Sequence, residues 1–411
     1  MGRLAVVAVL AAVAAGMVVG VTITPPLAPV PAHAQTAYKF TGAASCGASN
    51  CHGSTKPKAD NPKLNESIIW FQKDKHAKGY ATLTNEKLKS GVSPSKIARE
   101  LKIAKAETSS RCLSCHAVDV KPELRGPKFD ITEGVHCDGC HGPAEKWLEP
   151  HAEKGWTHAQ SVKLGMYDTQ NFLLRAEKCV SCHLAIDSEL VAAGHPDLLA
   201  FELDTFSVSM PPHWRDKGTW ASTKAWATGQ AISLREAARQ LAERAGGSAS
   251  DKLVVEAAQK VRGHGGMVRH VMGVVTPEAQ KALDQELAVV AEGKPDRPKL
   301  VAAAKNVART MDQQATKVAA REYDQASTRK LLADISGDAE AIGAGGVRGA
   351  EQAAMALDRL YATWSKAPGN KPDKAVGDAL DRIFGSLEDP KKFDAKKFAA
   401  DMKALQAALP K

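Results

Sequence analysis

The chain has 411 residues, enough for two or three domains. A formal charge of +9 would by itself suit a nucleic-acid or membrane-surface partner, but with 5% aromatics and no basic block neither fits, and nucleic acid is excluded as a partner. The eight cysteines, all between residues 46 and 182, direct the reading elsewhere.

At the start, Arg3, an apolar run from Leu4 to Val21, a Pro-rich stretch and Ala32-His33-Ala34 are the parts of a secretory signal, with cleavage expected after Ala34. The run approaches the length of a bilayer span, so an uncleaved anchor is the alternative. No later segment is apolar enough to cross. The mature chain is therefore expected to be exported, periplasmic or otherwise, without a stable membrane span, and losing Arg3 leaves it at +8.

The cysteines fall into four pairs: Cys46/Cys51 in "CGASNCH", Cys112/Cys115 in "CLSCH", Cys137/Cys140 in "CDGCH" and Cys179/Cys182 in "CVSCH". His52, His116, His141 and His183 follow the second Cys each time, a coincidence on the order of one in a million by chance. Cys-x-x-Cys-His reads as c-type haem attachment: two thiols add across the two vinyl groups of one porphyrin, and the next imidazole becomes the proximal iron ligand. Adjacent disulfides would not need a His at each second Cys, zinc would be over-supplied with ligands, and a thioredoxin-like motif would occur once. The first motif has two residues too many and, taken alone, would compete with a small disulfide loop. Its trailing His and its place in the set assign it to a fourth haem on a stretched loop. The expected cofactor is thus four covalently bound haems c, whose propionates would offset much of the +8.

The other face of each iron needs a second ligand in a carrier and stays open in an enzyme. Eight His remain outside the motifs and the signal, so number alone does not decide. His76 lies among Ile69, Phe71 and Tyr80; His151 follows His141 closely enough to fold back; His195 precedes Pro196, which fixes the turn. These three are expected distal ligands, and His213, in the rigid "MPPHW", is a further candidate. His136, directly before Cys137, would struggle to turn away from its own motif. His158, His264 and His270 read as ordinary surface or core residues, and Met267 and Met272 as packing.

From Thr219 the composition shifts to Ala, Lys, Glu and Arg. Trp220, Ala227, Ala231, Leu234, Ala238, Leu241 and Ala245 form a helical stripe with Arg235, Glu236, Arg239 and Glu243 opposite. Thr276-Pro277-Glu278 reads as a helix start, Gly343 to Gly349 as a flexible break. Ala353, Leu357, Leu360 and Trp364, then Phe398, Met402, Leu405 and Leu409, make two more stripes. The fold class predicted is mainly α: residues 1–34 as signal, 35–218 as a multihaem cytochrome c domain of helices and loops wrapped around stacked haems, 219–411 as a helical-bundle-like domain.

Residues 40 to 185 resemble the tetrahaem cytochromes of the cytochrome c-554 type, which carry electrons away from hydroxylamine oxidoreductase, through "FQKDKHAKGYATL", "EGVHCDGCHGP" with His151 beyond it, and "CVSCHL". The stretch "AAGHPDLLAFELDTFSVSMPPHW" is similar to a broader group of exported multihaem cytochromes. The resemblance implies a mostly helical wrapper around closely stacked haems. It also implies that His76 and His151 serve haems other than their nearest motif, and that the haem on His116 lacks a sixth protein ligand. The lengthened first motif, His136 in place of a small residue, the longer C-terminal half and the lack of a further Cys-x-x-Cys-His there depart from the family, so the resemblance speaks for the haem scaffold more than for the electron donor.

The leading expectation is an exported tetrahaem carrier passing electrons between redox partner proteins, in nitrogen-compound or anaerobic respiration, with no catalytic side chain. The rival is a reductase or oxidase with one five-coordinate haem, on His116, acting on a small nitrogen oxide. A third reading is the electron-transfer subunit of a larger respiratory complex, docking through its helical half.

Overall fold

Helix length follows composition. Between residues 38 and 218 prolines, glycines and polar turns interrupt the chain every few residues and hold the helices to short pieces, whereas beyond Thr219 prolines fall only at helix starts and connections and single helices reach 26 residues. The computed structural model describes residues 38–410 apart from 60–61, 89, 199, 212, 215 and 292–295; the expected signal and its cleavage after Ala34 lie outside the described residues.

The first part comprises α1 (Ala43–Cys46), α2 (Glu66–Lys73), α3 (Gly79–Thr84), α4 (Pro94–Glu100), α5 (Ser110–His116), α6 (Cys137–His141), α7 (His158–Lys163), α8 (Phe172–His183), α9 (Ser188–Ala192) and α10 (Leu203–Ser209). The second comprises α11 (Ala221–Gly246), α12 (Asp251–Val275), α13 (Pro277–Ala291), α14 (Arg297–Ala320), α15 (Gln325–Gly337), α16 (Ala339–Ala344), α17 (Val347–Lys366), α18 (Lys374–Gly385) and α19 (Ala395–Ala408). The chain is mainly helical, as its composition predicts; among the described residues there is no strand, only an isolated parallel bridge between Phe40 and Arg125. Side-chain caps set many of the starts. Asp296 accepts from Lys299 N to open α14, Asp324 and Ser327 cap α15 reciprocally, and Asp373 and Asp394 open α18 and α19.

Helix α11 is the axis of the second part, packed by α8, α10, α12, α14 and α17. Its apolar stripe is buried from Ala227 to Ala245, as the spacing predicts. The polar side is not a solvated face. Arg235 reaches Glu177 of α8 at 3.2 Å, and Arg239 reaches Asp312 of α14 at 2.9 Å, so the charges tie α11 to its neighbours. The stripes of α17 and α19 are buried too, with Leu409 at their edge only partly covered. Pro277 does open α13, but Thr276 closes α12 and its hydroxyl donates to Met272 Sδ. The expected break at Gly343–Gly349 is a tight turn: Gly346 at φ 90 joins α16 to α17, and Gly343 lets Ala395 O within 2.8 Å of where a Cβ would stand.

The apolar core does not stop at residue 218. Ala176, Val180 and Leu184 of α8 and its exit, with Phe201 and Leu203, share one cluster with buried residues of the second part out to Leu405. Tyr38–Lys411 forms a single unit by its contacts. A second, small cluster of Leu83, Ala98, Ala106, Leu113 and Ala117 supports α5 from below.

Candidate haem centres

The three regular motifs close helices. α5 ends on His116, α6 is "CDGCH" itself, and α8 ends on His183. In a helix, residues i and i+3 share a face, so each Cys-x-x-Cys presents both sulfurs on one side with the His one step further round. The first motif cannot do this with four residues between its sulfurs. Its helix stops at Cys46, and the extra length is taken up by turns: Cys51 N donates to Ala48 O at 2.9 Å and His52 N to Cys46 O at 3.1 Å. All eight thiols are free of disulfides. Motifs that are distant in sequence abut in pairs: α1 packs against α6 and α5 against α8, where Cys182 Sγ lies 3.9 Å from Ser114 O.

The imidazoles then pair across the motifs. His52 and His151 lie parallel, 6.1 Å between ring centres; His76 and His183 stand edge-on at 6.3 Å; His116 and His195 stand edge-on at 6.2 Å. Each pair joins one motif His to one from outside a motif. The centre of an imidazole lies roughly 3 Å from a metal held by its Nε2, so two rings on opposite faces of one iron are about 6 Å apart. The spacing fits a haem iron between each pair.

A second feature fits independently. Nδ1 is committed in five of these six histidines and in His213, leaving Nε2 as the free donor. Nδ1 of His52 donates to Glu66 Oε2 at 2.9 Å and that of His76 to Asp74 Oδ1 at 2.9 Å. His116 donates to Gly79 O at 3.1 Å with Thr82 Oγ1 at 2.9 Å, and His151 to Trp147 O at 3.1 Å. His195 donates to Pro196 O at 2.8 Å and His213 to Pro211 O at 3.0 Å. Burial pushes the Glu66 and Asp74 carboxyls up, but the bonds from His52 and His76 outweigh it and hold both below their ordinary values, so both stay ionised. Gly79 is needed where it stands, because a Cβ there would lie 2.6 Å from His116 O. His183 is held by packing: Phe201 stacks on it at 5.1 Å and Phe206 meets it edge-on at 5.5 Å.

His141 has no imidazole at this distance among the described residues. It is partly buried, and desolvation lowers its pKa to about 4, with His213 the first charge whose field adds to that. The resemblance implies an open iron at His116; the ring of His195 stands edge-on to that of His116 at 6.2 Å. His136 is buried with both ring nitrogens unbonded and Phe129 edge-on at 5.4 Å. His158 is 2.9 Å from Asp168, His270 is 3.1 Å from Asp338, and His264 bonds Gln230 in the core. Met267 and Met272 are buried packing. No group of three or more His, Cys, Asp or Glu among the described residues converges as a bare metal ion would require.

Sequence reasoning missed Glu66, Asp74, Gly79 and Thr82 as partners of the imidazoles, and Phe201 and Phe206 as packing for His183. Asp74, two residues before His76, was the one with a local signal; the others meet their histidines only through the fold.

Residues 45–142 match the family described as cytochrome c554 and c-prime, a segment that holds the first three motifs and ends just after the third. No curated protein and no solved structure matches. The match supports a c-type cytochrome segment, and with it covalently bound haem c and a part in electron transfer with redox partners. That segment is similar to cytochromes of the c554 type. Among the described residues no helix is long and apolar enough to cross a membrane.

Proposed function

We propose that the protein is an exported tetrahaem c-type cytochrome that passes electrons between redox partner proteins, carrying haems on Cys46/Cys51, Cys112/Cys115, Cys137/Cys140 and Cys179/Cys182. The observation that carries this is the three imidazole pairs at 6.1, 6.3 and 6.2 Å, each combining a motif His with an outside His. In this reading His52 with His151, His183 with His76 and His116 with His195 would each hold one haem. His141 takes His213, whose Nδ1 is held by Pro211 and whose field reaches His141. Bound haem supplies reversible one-electron exchange at its iron. The chain's own residues fix each imidazole's tautomer through Nδ1, exclude water with Trp147, Phe201 and Phe206, and leave no side chain placed for bond chemistry. The signal ending at Ala34 supports export, as does thioether attachment, which keeps a cofactor on an exported chain.

One observation favours a second reading, a reductase acting on a small nitrogen oxide: His141 stands outside the spacing of the other three. In that reading the open iron is at His141 rather than His116. Two measurements test both. The intact mass of the denatured, matured protein is expected to equal the chain from residue 35 plus four haems; a bare polypeptide mass from cells with cytochrome maturation machinery would sink the proposal. Electron paramagnetic resonance of the oxidised protein is expected to show low-spin irons alone. A high-spin signal that shifts with nitric oxide, and persists in His195→Ala alongside a new one, would favour the reductase.

A further inference from the structure

The segment from Leu184 to Asp197 connects the fourth motif to His195, and both its ends are gripped from the helical half. At its start, Gln240 Nε2 of α11 donates to Ile186 O at 2.8 Å and Arg244 Nη2 to the same carbonyl at 3.2 Å. At its end, Asp197 Oδ2 accepts from Arg244 Nη1 at 2.8 Å, and Asp197 Oδ1 accepts from Lys260 Nζ of α12 at 2.7 Å. Lys260 Nζ also donates to Gln240 Oε1 at 2.8 Å, closing the network. Between the ends, Arg111 of the second motif's helix pairs with Asp187 and Glu189, each at 2.9 Å. The His195 backbone N bonds Leu190 O at 2.9 Å. Only Pro196 separates His195 from Asp197, and a proline has one fewer free backbone torsion, so where Asp197 is held, His195 is held.

The cluster is costly as a plain fastening. The side chains of Arg244, Lys260 and Asp197 are 0%, 1% and 6% exposed, and two cations face one carboxylate. Burying such a set is expensive, and apolar groups of the same shape would stabilise a helix junction as well or better. What ion pairs give that apolar packing does not is one defined position for the group they hold.

We propose that the helical half is a ligand clamp: Arg244, Lys260 and Gln240 are positioning residues that hold Asp197 and through it keep His195 opposite His116, closing that iron. The inference rests on the assignment of His195 to the His116 haem made above. The helical half thereby gains a role in setting the ligation state of one haem, beyond covering it.

The test uses the full-length holoprotein, oxidised, with two readouts: the high-spin ferric signal, and the rate at which added cyanide binds. His195→Ala is expected to produce one new high-spin iron that imidazole returns to low spin. Asp197→Asn is expected to produce a fraction of the same signal and to speed cyanide binding about tenfold, as the open population rises. The double variant D197N/K260M removes one charge of each sign, so the buried net charge is unchanged; it is expected to show the same opening with an unaltered helical far-ultraviolet spectrum. If His195→Ala opens an iron while Asp197→Asn and D197N/K260M keep the wild-type spectrum and rate, the clamp is overturned and the ligand assignment stands. If His195→Ala changes nothing, the ligand assignment itself fails and the clamp with it.

Discussion

Two kinds of acceptor hold the imidazoles, and the difference has a measurable consequence. Glu66 and Asp74 offer a full negative charge to His52 and His76, while Gly79, Trp147, Pro196 and Pro211 offer neutral carbonyls. A carboxylate on Nδ1 makes the ring a stronger donor and favours the ferric state. Asp74 also accepts from the backbone N of His76 at 2.9 Å, and an asparagine keeps that bond. Asp74→Asn is therefore expected to raise one haem potential by on the order of 50 mV, about 1 kcal/mol for a one-electron couple, without loss of fold. A redox titration resolved by haem would read it, and an unchanged set of potentials would argue against His76 as a ligand. The attachment residues were legible because Cys-x-x-Cys-His is a local pattern. The pairing of His116 with His195 was not, because 78 intervening residues fold before the two rings meet and no spacing encodes that.

At the scale of one element, α10 shows a cap working under electrostatic load. Its cap residue Glu202 is 1% exposed and accepts from Asp204 N and Thr205 N at 2.7 Å each. Burial, and next the Asp204 carboxylate, push Glu202 up to about 7, while Arg359 donates to Asp204 Oδ2 at 2.8 Å. An unfolded glutamate releases its proton near 4.5 and the folded one holds it to about 7, so in that window the native state binds more protons. Stability is then present at the lower pH and lost as pH rises through the window, by up to about 3 kcal/mol. Melting temperatures taken from about pH 5 to about pH 8 should fall in the wild type, and Glu202→Gln should remove much of that fall; a variant that declines as steeply would place the effect on other groups. Because Phe206 of α10 packs on His183, this cap also bears on the fourth motif. The apolar stripe of α11 was readable from periodicity, but the cover over much of its charged side was not. Periodicity records which residues avoid water, whereas Arg235 and Arg239 are covered because acidic residues on α8 and α14 meet them.

At the scale of the whole molecule the composition break near Thr219 and the packing disagree about where one part ends. Composition separates a Cys-rich part from an Ala-rich one. The apolar core runs through the break, with Ala176 and Val180 of α8, the helix that ends in the fourth motif, in the same cluster as Leu234 and Leu241 of α11. A buried arginine adds a directional tie across that junction, Arg235 to Glu177 at 3.2 Å. Surfaces that share a core lose their packing together, so unfolding of one part should expose the other. In guanidinium, haem absorbance and far-ultraviolet ellipticity are expected to change in a single coincident transition. Leu234→Ala, at a fully buried site, is expected to cost about 2–5 kcal/mol and to move both probes by the same amount, although it lies in the cysteine-free half. Two separated transitions, with only the ellipticity shifted by Leu234→Ala, would mean that the halves fold independently. The helical half could then not hold His195 through a shared core, and the clamp would have to act through its ion pairs alone.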